Sequence, residues 1–581
     1  MPDPDYAKLT DERFTGTKTH GYDLVWILPF LTTSIAHTQQ ITAVSQGAIK
    51  RQMKLMYKNA ADNSPIRKFY TDTTEDDDWT CIKNAELGPS SVELLLPNDD
   101  KQTVLFTLNL KVPVLLRTTY CCLTSNLGRF FSILGRKKVS SDDWRLVFRV
   151  RLNLKILDDN KVPEFVKRVL VKTDDYSVHQ LFVDFTTADI STYDEALSHI
   201  DLPTDAAKLS FTDHIKLYLK KLTKETGNFH STIHYLPTIK KPENYRGPSR
   251  PPTSLDFQNL PFVTSPSDKG MKNDDKNMLI YLQMARRSQM IKDREFPQNL
   301  LPWPAANWVV PPTGTNPKYD GTVCLSKFTF LDGWLLERLA RFNRATTWVL
   351  KSITFDSSLT PLPFNIDAHL GYSSDEVPKG GTPWVYDSQK STPSTFYYSY
   401  NRERIDNKKL KNGPKGEVCL QDGGTWNHLE IPVGLNADGK CVIKIFGRTE
   451  VWSWASMSAW CIAITEWTAT VTLDAVNHGK LMIKVDFPEP RVYSEAGVAW
   501  RDLIGSQYDG VIADLNKRVE DGVKKVGTVI SELKTDIESF LGGKDGSWSF
   551  IFGGNDDFMI DKVAFNSEGD LLAQLVYQLK D

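Results

Sequence analysis

The sequence predicts an α+β protein in which long antiparallel strands are covered by a very long amphipathic helix. Three observations predict it. Apolar residues recur every three or four positions at Tyr508, Ile512, Leu515, Val519, Val523, Val526, Ile530, Leu533, Ile537 and Phe540, which places them in one stripe on one helix. Such a helix is about 50 Å long at 1.5 Å per residue, far beyond the usual three turns. Elsewhere apolar and polar residues alternate, most strictly over 145–157, where Leu146, Phe148, Val150, Leu152, Leu154 and Ile156 share one face and Arg149, Arg151, Asn153 and Lys155 the other. The aromatic content, with 15 Trp and 28 Phe, suits strand faces.

The elements follow in order. Leu24 to Leu28 is strand-like and stops at Pro29; a helix is expected from about Leu31 to Tyr57, with Ile35, Ile41, Val44, Ile49, Met53 and Met56 roughly on one side. Residues 103–110 alternate as a strand, and a short helix after Ser210 carries Ile215, Tyr218, Leu219 and Leu222. Prolines punctuate 237–270 and 297–317, an irregular connector around a helical pattern at 277–291. A helix from about 332 to 344 takes Asp332 as its N-cap. Strands return over 380–490. The apolar parity changes between Ile464 and Trp467, which predicts a bulge. Behind the long helix come Gly542-Gly543, strands at 548–552, 558–565 and 571–579, and a hairpin loop at 566–570. This gives three parts: 1–236 with a helix and antiparallel strands, the connector 237–320, and 321–581 with the central helix, strands, long helix and terminal hairpin.

A chain of 581 residues with 40 % hydrophobic and 24 % charged residues is composed like a globular protein. Its net charge of −2 offers no basic field for nucleic acid. No apolar run reaches the roughly 20 residues that span a bilayer. Asp3, Asp5, Asp11 and Glu12 do not suit a signal-peptide start, so the expectation is a soluble protein without a Sec leader, cytoplasmic or exported by another route. The seven Cys lack a Cys-x-x-Cys pair and are expected to be reduced and mostly buried.

Three segments resemble a known family. Thr19-His20-Gly21-Tyr22-Asp23-Leu24-Val25-Trp26 is similar to the opening Thr-x-Gly-Trp-Asp motif of the clostridial forty-seven-kilodalton toxin-cluster proteins, with Tyr22 in place of Trp. Leu325-Ser326-Lys327-Phe328-Thr329-Phe330-Leu331 resembles the start of that family's central helix. Trp548-Ser549-Phe550, Gly553-Gly554, Phe558 and the run Phe565 to Leu572 resemble its terminal hairpin. The matches are short, keep the family's order and bracket nearly the whole chain. The family belongs to the tubular lipid-binding (TULIP) superfamily. The resemblance implies long, strongly curved antiparallel sheets wrapped around long amphipathic helices, an apolar groove that can hold lipid, and a toxin-cluster, insecticidal association.

Gly434 to Cys441 nearly matches a phosphate-binding loop, but Cys441 replaces the Ser or Thr and strand follows, so it reads as a hairpin turn at Asn436-Ala437-Asp438-Gly439. Asp72, Glu75, Asp76, Asp77 and Asp78 read as a solvated loop rather than a calcium site. His230 and His234 have the spacing of zinc ligands on a helix but no following Glu. Arg149, Arg151 and Lys155 could meet anionic headgroups but read as a solvated sheet face. The Trp residues between 452 and 467 could dock at a membrane interface; alternation assigns several to sheet core. No catalytic set and no metal emerges, so the expectation is a non-enzyme with no cofactor beyond a bound lipid. Its lipid-binding residues would be Tyr508, Ile512, Leu515, Val519, Val523, Val526 and Ile530 of the helix, facing Leu146, Phe148, Val150 and Leu152 of the strand. Its partners would be lipid, a membrane surface or toxin-system proteins. The alternatives are a fully packed interaction component of a toxin complex and a membrane-inserting pore-former.

Overall fold

The fold is known from a computed structural model that describes residues 38–69, 85–94, 102–110, 114–121, 132–139, 144–169, 176–185, 192–200, 215, 218–219, 222, 231–240, 254–262, 274–285, 320–355, 364–373, 375–403, 419–455, 459–477, 480–498, 517, 525, 528–529, 532, 558–566 and 569–577. Strand dominates these residues, and the architecture is β-rich α+β.

The larger sheet has 13 strands: β1 (Thr38–Ser45), β11 (Ser254–Leu260), β12 (Met278–Ala285), β13 (Gly321–Leu325), β16 (Val385–Tyr386), β17 (Thr395–Glu403), β18 (Cys419–Pro432), β19 (Cys441–Ala455), β20 (Ala459–Asn477), β21 (Lys480–Asp486), β22 (Arg491–Val498), β23 (Phe558–Phe565) and β24 (Leu571–Tyr577). Its order is β11-β12-β1-β13-β24-β23-β20-β19-β18-β17-β16, with β21 and β22 both on β20. The five-stranded sheet runs β10-β9-β8-β5-β4, from Thr232–Ile239, Tyr176–Val183, Trp144–Ile156, Thr103–Leu110 and Ser91–Leu94. Three ribbons complete the count: β2 (Lys68–Phe69) with β3 (Ala85–Glu86), β6 (Val114–Cys121) with β7 (Ser132–Val139), and β14 (Trp348–Phe355) with β15 (Phe364–Leu370).

The long strand 145–157 forms as expected: β8 buries Leu146, Phe148, Val150 and Leu152 and exposes Arg145, Arg149, Arg151 and Asn153. In the expected helix after Ser210, Ile215, Tyr218, Leu219 and Leu222 are helical and buried in the same apolar core as that strand.

Four expectations need correction. The helix expected from Leu31 to Tyr57 begins only at Gln46: Thr38–Ser45 is strand, paired to β12 on one side and β13 on the other. Its side chains from Gln40 to Ser45 are all buried, so both faces are covered and the period of two is lost from the sequence. Ser45 ends the strand and starts α1 (Gln46–Asn59), its Oγ accepting from the Ala48 amide at 3.1 Å. Likewise 278–285 is not helix but strand β12, held between β1 and β11 and buried throughout from Met278 to Gln283. A short apolar run buried on both faces carries no period that separates strand from helix.

Asp332 is not an N-cap. It lies inside a π-helical turn, Phe328–Leu335, where its amide donates to the Lys327 carbonyl five residues back at 2.9 Å. The turn buries Phe330, Leu331, Trp334 and Leu335 and runs directly into α3 (Leu336–Thr346); α2 (Glu164–Val169) is a short helix earlier in the chain. Finally, no bulge separates Ile464 from Trp467. The β19–β20 register is unbroken from Cys441↔Leu473 to Ala455↔Ala459. The inward row of β20 is Ala463, Thr465, Trp467, Ala469, Val471 and Leu473, while Ile462 and Ile464 lie on the opposite face. The parity seemed to change because that opposite face is apolar near the hairpin tip.

A buried polar network seats α3 across β18 and β19. Asn427 Nδ2 donates to Asn343 Oδ1 at 2.9 Å and to Thr346 Oγ1 at 3.0 Å. Thr449 and Thr425 donate to the Thr346 carbonyl at 2.8 and 3.3 Å. Asn343 Nδ2 in turn reaches the Thr382 carbonyl at 3.2 Å. Burial of these groups is tolerable because most of them satisfy one another; Asn427 Oδ1 alone in the network lacks a partner.

Candidate functional site

The helical stripe meets the structure only in part. Lys517, Lys525, Thr528, Val529 and Glu532 are helical; Val529 is half-buried and the other four are exposed. At about 100° per residue, those four positions fall within one quadrant of a helical wheel. Tyr508, Ile512, Leu515, Val519, Val523, Val526 and Ile530 themselves lie outside the described residues. Leu146, Phe148, Val150 and Leu152 are buried in a continuous apolar core with Phe106, Phe185 and Leu219.

The basic face of β8 is partly used within the chain. Arg149 Nε pairs with Asp194 Oδ2 at 3.0 Å, and Arg145 donates to the Leu197 carbonyl at 2.7 and 3.1 Å. The acidic run 72–78 and His230 lie outside the described residues. His234 is on strand β10, not on a helix. It is buried, hydrogen-bonded through Nδ1 to the Tyr281 hydroxyl, and held neutral because burial lowers its pKa to about 3. Among the described residues no three His, Cys, Asp or Glu side chains group as metal ligands.

The near-match to a phosphate loop is the β18–β19 turn. Gly439 has φ 71°, a conformation that favours Gly, and its amide donates to the Asn436 carbonyl at 2.9 Å. Asn436 Oδ1 accepts from the amides of Asp438 and Lys440 at 3.0 and 2.9 Å, so the turn's own donors are spent internally.

The Trp residues divide. Trp467 is buried against Phe342, with ring centroids 5.5 Å apart and nearly parallel. Gly447 opposite it has no side chain, and the indole occupies the space where a Cβ would sit. Trp452, Trp460, Ile462 and Ile464 are half-buried on the other face, beside exposed Tyr493, the register partner of Ile464.

Two cavities are built around aromatic residues. The first, about 630 Å³, lies at the edge of β20 where β21 ends and β22 begins. Pro488 and Pro490 interrupt the ladder there because neither carries an N–H. Its lining includes His428 stacked on Phe446 at 4.7 Å, with Arg448 paired to Glu450 and Glu466. Burial lowers the His428 pKa.

The second, about 730 Å³, lies between the π-turn with α3 and the strands β16 and β17. Tyr386 and Tyr398 are register partners whose rings meet edge to face at 5.4 Å. Lys327 Nζ stands 5.3 Å from the Tyr386 ring centre and 5.8 Å from that of Phe396. Tyr398 Oη and Trp384 Nε1 are buried without hydrogen-bond partners. Burial, then the charge of Asp332, raises the Tyr398 pKa, so its hydroxyl stays protonated and able to donate. Sequence reasoning missed this set: only Lys327 fell in a segment singled out beforehand, and Trp384, Tyr386 and Tyr398 carry no spacing signal.

No family model matches the chain, and no curated protein matches it. Among solved structures it is similar to P47 from Clostridium botulinum A2, at 11% identity over 93% of this chain and 97% of that one, with a TM-score of 0.37. It is similar also to P47 of Clostridium botulinum E1, at 10% identity over 94% of this chain and 100% of that one, again with a TM-score of 0.37. The likeness is a remote structural similarity.

Proposed function

We propose that this protein is a non-catalytic binder of lipids or other amphipaths, of TULIP type, acting in a toxin or host-interaction system. The observation that carries this reading is the apolar face at the tip of the β19–β20 hairpin. Trp452, Trp460, Ile462, Ile464 and Tyr493 gather there, while the same face farther along carries Arg448, Glu466 and Arg491. Trp and Tyr above a charged belt suit the interfacial zone of a bilayer. The stripe from Tyr508 to Ile530 supplies the second apolar surface of the proposed groove. The family resemblance of the sequence supplies the toxin context.

Native mass spectrometry and co-sedimentation with liposomes test this reading. The expected result is co-purified lipid or liposome binding that Ile464→Glu weakens at least about tenfold, since a charge at that depth costs more than 1.4 kcal/mol. Recovery of no lipid together with no liposome binding would sink it. A packed protein-interaction component is favoured by one observation: Leu146, Phe148, Val150 and Leu152 are no more than 3% exposed. That reading expects binding to a protein of the same system and none to liposomes. Dye release tests membrane insertion.

A further inference from the structure

We propose that the cavity between α3 and β16–β17 is a saccharide site that takes a sugar bearing a single carboxylate. The proposal goes beyond the lipid reading and does not rest on it. Three donors meet in this cavity without a protein acceptor. Tyr398 Oη and Trp384 Nε1 belong to side chains only 3% and 7% exposed, and neither has a partner. The Lys327 ammonium, set against the Tyr386 and Phe396 rings, has no carboxylate partner among the described residues. Unpaired buried donors cost free energy that a bound acceptor returns.

The walls define the rest of the ligand. Tyr386 is 46% exposed and turns an open aromatic surface to the cavity mouth. A pyranose presents a face of C–H groups that packs on such a ring. Glu337, exposed on the rim, accepts hydrogen bonds that sugar hydroxyls donate and phosphate oxygens cannot.

Charge count decides among anions. Arg344 is directed to the Tyr372 carbonyl at 3.2 Å. Arg341 shares the lining with two carboxylates, Asp332 and Glu337. Lys327, Arg341 and Arg344 against Asp332 and Glu337 leave the lining one net positive charge, which matches one negative charge on a ligand. A multiply phosphorylated headgroup brings several charges to a cavity that also presents two carboxylates.

Saturation-transfer NMR and calorimetry on the full chain test the site, with 3′-sialyllactose as the carboxylated probe, lactose as the neutral one and inositol 1,4,5-trisphosphate as the polyphosphate. Sialyllactose is expected to bind at least about tenfold tighter than lactose, the margin of one charge-assisted hydrogen bond. Lys327→Gln should remove that margin, and Tyr386→Ala, at an exposed position, should abolish transfer to the sugar ring. Tyr398→Phe should weaken sialyllactose binding without lowering the thermal midpoint, because the hydroxyl has no native partner to lose; a merely structural tyrosine would show the reverse. Equal binding of both sugars, binding that survives Lys327→Gln, preference for the inositol phosphate, or no binding of sialyllactose would each overturn the proposal.

Discussion

Asn427 Nδ2 lies 2.9 Å from Asn343 Oδ1 and joins strand β18 of the largest sheet to helix α3. The same nitrogen also donates to Thr346, so one amide holds two points of α3. Asn427→Ala strands both acceptors in a region without water access, and a loss of about 1–3 kcal/mol is expected. The urea midpoint should fall accordingly. A change within about 0.5 kcal/mol would show that the network is not what seats the helix.

Gly447 faces Trp467 across β19 and β20, and a Cβ there would overlap the indole, 2.0 Å from its nearest ring atom. Gly447→Val should push Trp467 off Phe342 and cost roughly 1–3 kcal/mol, as overpacking does. Near-ultraviolet circular dichroism would report the lost stack alongside a lower thermal midpoint.

His234 makes stability depend on pH. Its folded pKa is about 3, below the unbound value of 6.5, so between these values the unfolded chain takes up a proton that the folded chain refuses. Stability is therefore full above about pH 6.5 and declines as pH falls toward 3. At pH 5 the loss is on the order of 2 kcal/mol, from about 1.4 kcal/mol per pH unit. Burial lowers the pKa of His179 and His428 in the same direction. Denaturant melts at pH 7 and pH 5 should show the decline, and His234→Gln should reduce it, leaving the part due to His179 and His428.

Cys324 and Cys441 are free, buried thiols, and burial raises the pKa of both, that of Cys441 to about 12. Neither should react with a thiol reagent at pH 8 in the native state, since the thiolate is the nucleophile. Mass-resolved labelling should find both modified only after denaturant is added. Rapid labelling of Cys441 in the native protein would contradict its placement.

Legibility in the sequence followed solvent exposure. β8 could be read because Arg145, Arg149, Arg151 and Asn153 stand in water on one face, broken only by buried Val147. The hairpin turn at Asn436 and Gly439 could be read because its chemistry is local. β1 and β12 could not, because both of their faces are buried and their residues no longer alternate. The second cavity was illegible for another reason. Lys327, Trp384, Tyr386 and Tyr398 come from separate elements, and nothing in their spacing foretells that they converge.

By itself the sequence determined the class: a β-rich α+β chain with amphipathic strands and a terminal hairpin, because these depend on local propensity and on the contrast between wet and buried faces. Only the tertiary structure decided that β1 leaves its expected helix to pair with β12 and β13, and that an aromatic cavity forms around Lys327. Both depend on contacts between residues far apart in the chain, whose energies exceed any local preference of the segments that make them.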